Sequence, residues 1–286
     1  MGTVAMGRVA LGVAAAALML GATACGERSE PTGADAPLYP VTVQTGDRPL
    51  VVIGPARRIV VLDPSAQAIL EGLGVGPHIV LRRSSGFDVR EVRLVHPDLI
   101  VASPDANERD LSRAAAATGA KVYTAAGDSI RQVERAITQL GLLTGTPVAA
   151  RRLVRRIEAR RREVAGRLAR VSNVSVFVDV GFLNTVPDQS LIGDVLREAH
   201  GTNVAGDATA GPVDIADLLR LDPQVYLATS DAEVTLKDLR TGRTRKLRAV
   251  RNGRFVVAGA NLLQPGPRIG DGLIQVARLL HPDAFR

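Results

Sequence analysis

The fold is decided by the stretch Pro97-Asp-Leu-Ile-Val-Ala-Ser-Pro-Asp105, which returns 126 residues later as Pro223-Gln-Val-Tyr-Leu-Ala-Thr-Ser-Asp231. Each copy places a proline before an apolar, strand-like run and small polar residues after it. Leu70 and Leu196 each lie 27 residues before the matching proline, so the offset spans more than one element. The repeat predicts two similar halves; a chance likeness of two helix-proline-strand units is the alternative.

Within each half, short β-branched runs alternate with helical patterns, which predicts βαβ units and mainly parallel sheets. The fold class expected is α/β, with two Rossmann-like lobes. Ligands of such sheets bind beyond the carboxyl ends of the strands, so the cleft between the lobes is the expected site. The predicted strands are 58–62, 78–81, 99–102, 121–124, 174–180, 225–228 and 254–257, after a hairpin at 41–53. The predicted helices are 65–72, 88–95, 109–118, 129–144, 148–170, 190–199 and 268–280.

The predicted helix at 148–170 joins the halves and carries nine arginines against Glu158 and Glu163. This segment accounts for the net charge of +7, so the rest of the chain is close to neutral. No aromatic residue is interleaved with the arginines, and stacking on bases needs aromatics, so nucleic acid is not an expected partner. A solvated helix face is the simplest interpretation, and contact with anionic lipid headgroups is the alternative.

The N-terminus has the order of an export signal. One positive charge at Arg8 precedes an apolar run from Val9 to Gly21, and small residues then lead to Cys25, the chain's only cysteine. A 13-residue helix rises about 20 Å, too short for a hydrocarbon core of about 30 Å, which favours a signal peptide. Ala22-Thr-Ala-Cys25 resembles a bacterial lipobox, although the usual leucine is Ala22, so Cys25 is the expected lipidation site. A plain signal peptide is the alternative.

The sequence does not contain a recognisable catalytic, cofactor-binding or metal-binding motif. The four histidines sit at helix or strand ends, and none has the i, i+4 spacing of a zinc helix. Gly72-Leu-Gly-Val-Gly76 ends a predicted helix, whereas a dinucleotide-binding loop must open one. We therefore expect no enzyme, no cofactor and no metal site.

Several stretches together resemble the substrate-binding proteins of iron-siderophore, haem and cobalamin ABC importers. The matches run in family order from about residue 40 to the C-terminus. They are Arg58-Ile-Val-Val-Leu-Asp-Pro-Ser-Ala-Gln-Ala-Ile-Leu-Glu-Gly-Leu-Gly74, His96-Pro-Asp-Leu-Ile-Val-Ala102, Leu142-Leu-Thr-Gly145, Leu191-Ile-Gly-Asp-Val-Leu-Arg-Glu-Ala-His-Gly-Thr-Asn-Val-Ala205, Ala249-Val-Arg-Asn-Gly253 with Phe255-Val-Val257, and Pro265-Gly-Pro-Arg268.

The resemblance implies two α/β lobes joined by a long helix, with little hinge motion, that hand one ligand to a membrane permease driven by a cytoplasmic ATPase. We expect a monomer, anchored outside the cell membrane through Cys25. The glutamates with which this family docks on the permease correspond to Ala68 and Ala216. Glu71, Asp214 or Asp217 are the expected substitutes. An interaction protein that kept the fold but lost docking is the alternative. The expected divisions are a signal peptide at 1–24, a tether at 25–37, a first lobe at 38–147, a connecting helix at 148–170 and a second lobe at 171–286.

The expected ligand is a ferric siderophore or a similar metal chelate. Such chelates are often anionic, and Arg82 and Arg83 could hold them through planar guanidinium groups. The low aromatic content, with no Trp, argues against haem and cobalamin without excluding either. The other predicted ligand contacts are Ser65, Ser103 and Tyr123 in the first lobe, Phe182, Thr185 and Ser230 in the second, and Gln264 and Arg268 on the closing loop.

Overall fold

A computed structural model describes residues 39–84, 86–207 and 211–286, together with Gly2. The predicted signal peptide, tether and Cys25 lie outside these residues. The described chain opens with the predicted hairpin. Strands β1 (Val41–Thr45) and β2 (Arg48–Val52) pair antiparallel, and Gly46 supplies the positive φ of the turn.

The first lobe is built on a four-stranded parallel sheet with the order β4-β3-β5-β6. Its strands are short and apolar, and β5 is buried along its whole length, as expected for a sheet covered on both faces. The strands are β3 (Ile59–Val61), β4 (Ile79–Arg82), β5 (Leu99–Ala102) and β6 (Lys121–Thr124). The helices are α1 (Pro64–Gly72), α2 (Val89–Leu94), α3 (Glu108–Thr118) and α4 (Ile130–Leu143).

The second lobe repeats this topology. Its parallel sheet has the order β12-β11-β7-β9, so both sheets place their strands in the spatial order second, first, third, fourth. The repeated sequence falls on the third strand of each, β5 and β11, which confirms the two-lobed α/β prediction. The strands are β7 (Val174–Asp179), β9 (Gly201–Asn203), β11 (Val225–Thr229) and β12 (Phe255–Ala258), with a small ladder of β8 (Asn184–Thr185) and β10 (Gly211–Pro212). The helices are α6 (Leu191–Glu198), α7 (Ile215–Leu221), α8 (Leu236–Leu239), α9 (Arg248–Arg251) and α10 (Ile269–Leu280).

Helix α5 (Pro147–Leu168) joins the lobes and packs on both of them. Its buried stripe includes Leu153, Ile157 and Val164, and these side chains belong to one apolar core that also takes in α4 of the first lobe and α10 of the second. The contacts are close: a Cβ on Gly141 of α4 would lie 2.4 Å from the Cβ of Ala150. The lobes therefore share a core along the helix instead of hanging from a flexible linker.

Polar caps fix where the helices begin. Asn107, Ser129 and Ser190 accept hydrogen bonds from the first-turn N–H groups of α3, α4 and α6. Such caps typically contribute about 1 kcal/mol each. Six short helices and strands of the described chain were not predicted: α7, α8, α9, β8, β9 and β10. They are two to seven residues long, too short for a periodic pattern to emerge.

Candidate ligand-binding cleft

A cavity of about 290 Å³ lies between the lobes, at the carboxyl edge of the first sheet. Three segments of the first lobe form most of its wall, and each follows a parallel strand: the start of α1 at 63–69 after β3, the loop 103–105 after β5 and the loop 125–128 after β6. Leu191 and Pro265 of the second lobe complete the lining. This is the position at which open α/β sheets bind ligands. The volume is at the lower end of the range for small-molecule pockets, about 300–1,000 Å³.

The lobes touch at the rim of this cavity. A Cβ on Gly127 would lie 2.6 Å from the Cβ of Pro265, so only glycine allows the two loops to approach so closely. Nearby, the N–H of Ile130 at the start of α4 donates to Asp194 Oδ2 of α6 over 2.9 Å. These contacts hold one end of the cleft closed.

Behind the cleft, Arg161 of α5 connects both lobes. Its guanidinium donates to both oxygens of Glu198 on α6, with a shortest distance of 2.7 Å, and to both oxygens of Glu134 on α4 at 3.3 Å. The three side chains are 22%, 25% and 13% exposed. Burial raises the pKa of Glu134, and the charge of Arg161 opposes that rise. The hydrogen bonds to Glu198 raise the pKa of Arg161, so the cation persists at any relevant pH.

Three carboxylates line the cavity. Asp63 caps α1, with Oδ1 accepting from Ser65 N at 3.0 Å and Oδ2 from Ala66 N at 3.2 Å. Asp105 and Asp128 are exposed, and no hydrogen bond or ion pair of either carboxylate is found among the residues described. None of the three is among the predicted ligand contacts. The signal was available, since Asp105 and Asp128 follow predicted strand ends by three and four residues, as Ser65 does by three.

Two of the predicted ligand contacts, Ser65 and Ser103, line this cavity. Tyr123 does not: its side chain is 2% exposed, and its hydroxyl lies 2.8 Å from the side-chain amide of Gln139, beside a separate small cavity. Burial raises the pKa of Tyr123, so the phenol stays protonated.

The predicted arginine pair also lies away from the cavity lining. Arg83 donates to Glu91 of α2 over 2.8 Å, and Arg82 donates to the carbonyl oxygens of Ile79 and Gly76. Both side chains remain partly exposed, but their hydrogen bonds turn them towards their own lobe. Their role in binding stays a prediction.

The predicted contacts of the second lobe are spread along the carboxyl edge of its sheet. Thr185 is buried and accepts a hydrogen bond from Asn203 Nδ2, and the Ser230 hydroxyl accepts one from the N–H of Ala260. Gln264 and Arg268 are exposed on either side of Pro265, and Arg268 occupies the N-cap position of α10. The structure places these residues on one rim, without bringing them into the cavity.

Phe182 stands out on this rim because its ring is uncovered. The residue is 87% exposed and has a φ of +53°, and Leu183 follows with a φ of +58°. Consecutive left-handed conformations at bulky residues carry strain of about 1–3 kcal/mol each and persist where the surroundings over-determine them. The preceding strand supplies that support: Asp179 accepts from the N–H of Gly181 at 2.8 Å and from the buried hydroxyl of Tyr226 at 2.5 Å.

The residues considered for permease docking lie on α1 and at the start of α7. Glu71 is exposed and accepts from Gln67 Nε2 at 2.9 Å. Asp214 caps α7 by accepting from Ala216 N, and Asp217 pairs with Arg220. Of the three, Asp217 alone has a cation partner within the described chain, and Glu71 and Asp214 have none there.

Two features of the described residues bear on metal binding and on membrane spanning. No group of three or more His, Cys, Asp or Glu side chains in residues 39–84, 86–207 and 211–286 is arranged to hold a metal ion. Over the same residues, no helix combines the length and apolarity needed to cross a membrane.

Residues 80–262 match the sequence profile of the family described as periplasmic binding proteins. The chain belongs to that family. The curated relative that it matches is an uncharacterised ABC transporter substrate-binding lipoprotein, YvrC of Bacillus subtilis strain 168, at 24% identity over 87% of this chain and 88% of the relative.

Solved structures show the same two-lobed fold as this periplasmic binding protein. The vitamin B12 binding protein BtuF of Vibrio cholerae superposes with a TM-score of 0.70 at 20% identity, over 81% of this chain and 99% of BtuF. A protein of an Fe3+-hydroxamate transport system from Saccharomonospora viridis superposes with a TM-score of 0.67 at 20% identity, over 84% of this chain and 99% of that protein. At these identities the likeness establishes the fold alone.

Proposed function

We propose that this protein is the extracytoplasmic substrate-binding component of an ABC importer. In this proposal it acts as a monomer and carries a metal chelate. A ferric siderophore is the favoured ligand, and cobalamin and haem are the alternatives. The observation that carries the proposal is the cavity between the lobes, at the carboxyl ends of parallel strands, in a chain of the periplasmic binding protein family. The names of its relatives, an ABC transporter lipoprotein and proteins for vitamin B12 and ferric hydroxamate, support the class of cargo.

The cleft offers a chelate both polar and apolar contacts. The hydroxyls of Ser65 and Ser103 can donate to chelate oxygens, while Ile69, Leu191 and Pro265 supply an apolar wall. A few placed polar groups in an apolar lining are typical of small-molecule sites. Phe182 would cover a ligand that extends beyond the cavity, because the residue is 87% exposed at the carboxyl edge of the second sheet. We propose these residues as ligand contacts.

The Arg161 bridge supports delivery without wide hinge opening. Separating the lobes would break at least one of the two ion pairs of Arg161 and leave a carboxylate that is at most 25% exposed without its cation, which costs several kcal/mol. We therefore propose that the cleft changes by small movements of its loops. Glu71 is proposed as the docking carboxylate of the first lobe, and Asp214 or Asp217 as that of the second.

We also propose lipidation at Cys25. The evidence is the lipobox-like Ala22-Thr-Ala-Cys25 and a relative that is a substrate-binding lipoprotein. Two acyl chains would anchor the protein stably, which one chain does not. A Cys25→Ser variant should move from the membrane fraction to the soluble fraction on fractionation. Retention of that variant in the membrane fraction would contradict the anchor.

The cargo is tested by a thermal-shift screen of the full chain in mild detergent against ferric siderophores, haem and cobalamins. A ligand at 100 times its dissociation constant adds about 2.7 kcal/mol, which raises the Tm of a domain of this size by about 5–10 °C. Absence of a shift with every chelate, from a folded protein, would reject the proposal. A second outcome would favour an interaction protein that lost docking: the protein binds a chelate, but neither the wild type nor the Glu71→Gln variant stimulates uptake of that chelate by cells.

A further inference from the structure

We propose that the cleft selects metal chelates that carry net positive charge, or none, and discriminates against anionic ones. This inference rests on the proposed function and names the charge class of its ligand. It starts from Asp63, Asp105 and Asp128, which line the cavity. Both carboxylate oxygens of Asp63 accept hydrogen bonds from the N-terminus of α1, whereas the carboxylates of Asp105 and Asp128 have no hydrogen-bond or ion-pair partner within the described chain.

No cation compensates these carboxylates at the cavity wall. None of the described residues that line it is lysine or arginine. Arg83 is committed to Glu91 and Arg82 to carbonyl oxygens of its own lobe. The excess of positive charge lies on α5, behind the lobes, so the local sign in the cleft is opposite to that of the whole chain.

The second rim carries two carboxylates against one guanidinium, that of Arg268. Asp231 and Glu233 follow β11 and are exposed, and no ion pair neutralises either within the described residues. Phe182 follows β7 on the same edge, and an aromatic face attracts cations through its quadrupole. Carboxylates on both rims and an uncovered ring together suit a cationic body with apolar surface.

A bare metal ion does not satisfy this arrangement. The cavity carboxylates do not form a group close enough to share one ion, since the described residues hold no such cluster. A cavity of about 290 Å³ is also far larger than one ion. The occupant is therefore a ligand much larger than an ion that carries a cationic group or no charge, such as a hydroxamate chelate with a free ammonium group, and not the anionic chelate that the arginine pair suggests.

The test uses chelates that differ only in charge. Ferrioxamine B carries an ammonium group, its N-acetyl derivative is neutral and its N-succinyl derivative is anionic, all on one iron-binding core. Cyanocobalamin and its monocarboxylic acid derivative form a second series. Binding of each to the full chain is measured by calorimetry at 50 and 300 mM salt. The Asp105→Asn/Asp128→Asn double variant is compared with Asp283→Asn, which removes a carboxylate 81% exposed near the C-terminus.

We expect ferrioxamine B to bind about 3- to 30-fold more tightly than the N-succinyl derivative at low salt, or cyanocobalamin to outbind its acid by a similar factor. The preference should shrink in the double variant and at 300 mM salt, and persist in Asp283→Asn. Equal or tighter binding of the anionic members, or a preference that survives in the double variant, would overturn the inference and leave the proposed function standing. Absence of binding by every chelate would overturn both.

Discussion

Replacing Arg161 tests whether the two lobes are held together by charge. The Arg161→Met variant keeps much of the apolar stem and removes the guanidinium, which leaves Glu134 and Glu198 facing each other. Removing one partner of a buried ion pair costs about 3–5 kcal/mol. Because these side chains are 13–25% exposed, solvent screening reduces the loss, and we expect about 2–3 kcal/mol. That corresponds to a fall in Tm of about 5–10 °C.

The loss should also depend on pH. Burial already raises the pKa of Glu134, and Arg161 opposes this. A carboxyl whose pKa is higher in the folded chain than in the unfolded chain destabilises the fold as pH rises through the folded pKa. Without Arg161 the pKa rises further, so ionising Glu134 costs the variant more than it costs the wild type. The difference in stability should be largest near pH 7.5 and shrink as pH falls below 5.

The assay is urea denaturation of wild type and variant at pH 7.5 and pH 5. Arg162→Met is the matched control, because Arg162 is 70% exposed and its nearest carboxylate oxygen, on Glu158, is 3.7 Å away. Exposed pairs of this kind contribute about 0–1 kcal/mol. Adding Glu134→Gln and Glu198→Gln to Arg161→Met should recover part of the loss. Equal stability of Arg161→Met and Arg162→Met at pH 7.5 would refute the reasoning.

Three further predictions concern the second lobe and α5. A Cβ on Gly193 would lie 2.3 Å from a backbone carbonyl oxygen of the preceding loop, so Gly193→Ala should cost about 1–3 kcal/mol, measured by urea denaturation. Gly166→Ala, with nothing within 4 Å, should gain up to about 1 kcal/mol, and equal effects at the two sites would contradict the packing argument. Tyr226→Phe removes the hydroxyl that donates to Oδ2 of the buried Asp179, leaves only the Gly181 N–H on Oδ1, and should cost about 1.5–3 kcal/mol; an unchanged Tm would show that the Tyr226 hydrogen bond contributes little. Phe182→Gly should raise Tm by a few degrees through relief of strain and weaken chelate binding measured by calorimetry, whereas unchanged affinity would remove Phe182 from the site.

Much of the fold was predictable because the sequence contains periodic apolar patterns and a repeated segment. The copies at 97–105 and 223–231 fixed the equivalent strands, and the alternation of β-branched runs with helical patterns indicated which segments form strands and which form helices. Short elements such as β9 were not predicted, because its three residues, Gly-Thr-Asn, show neither a periodic pattern nor a strong strand preference.

The site was less predictable because it depends on how loops turn after the strands. The rule that ligands bind at strand ends located the cleft and selected Ser65 and Ser103. It could not show that Tyr123 is buried beside Gln139, or that Arg83 meets Glu91 across a turn. Nor could it show that Asp105 and Asp128 converge on one cavity, since their loops come from different strands.

The most direct test of a ligand in this cleft is to block the cavity. Ala126 is exposed on the cavity wall, so Ala126→Trp should fill the space, and it gives the chain its only tryptophan. Ala165→Trp, exposed on α5, is the control at a remote surface. Calorimetric titration with the chelate that gives the largest thermal shift should show affinity lost at least tenfold in Ala126→Trp and unchanged in Ala165→Trp. Unchanged affinity in a folded Ala126→Trp protein would contradict the account, because the ligand would then bind elsewhere.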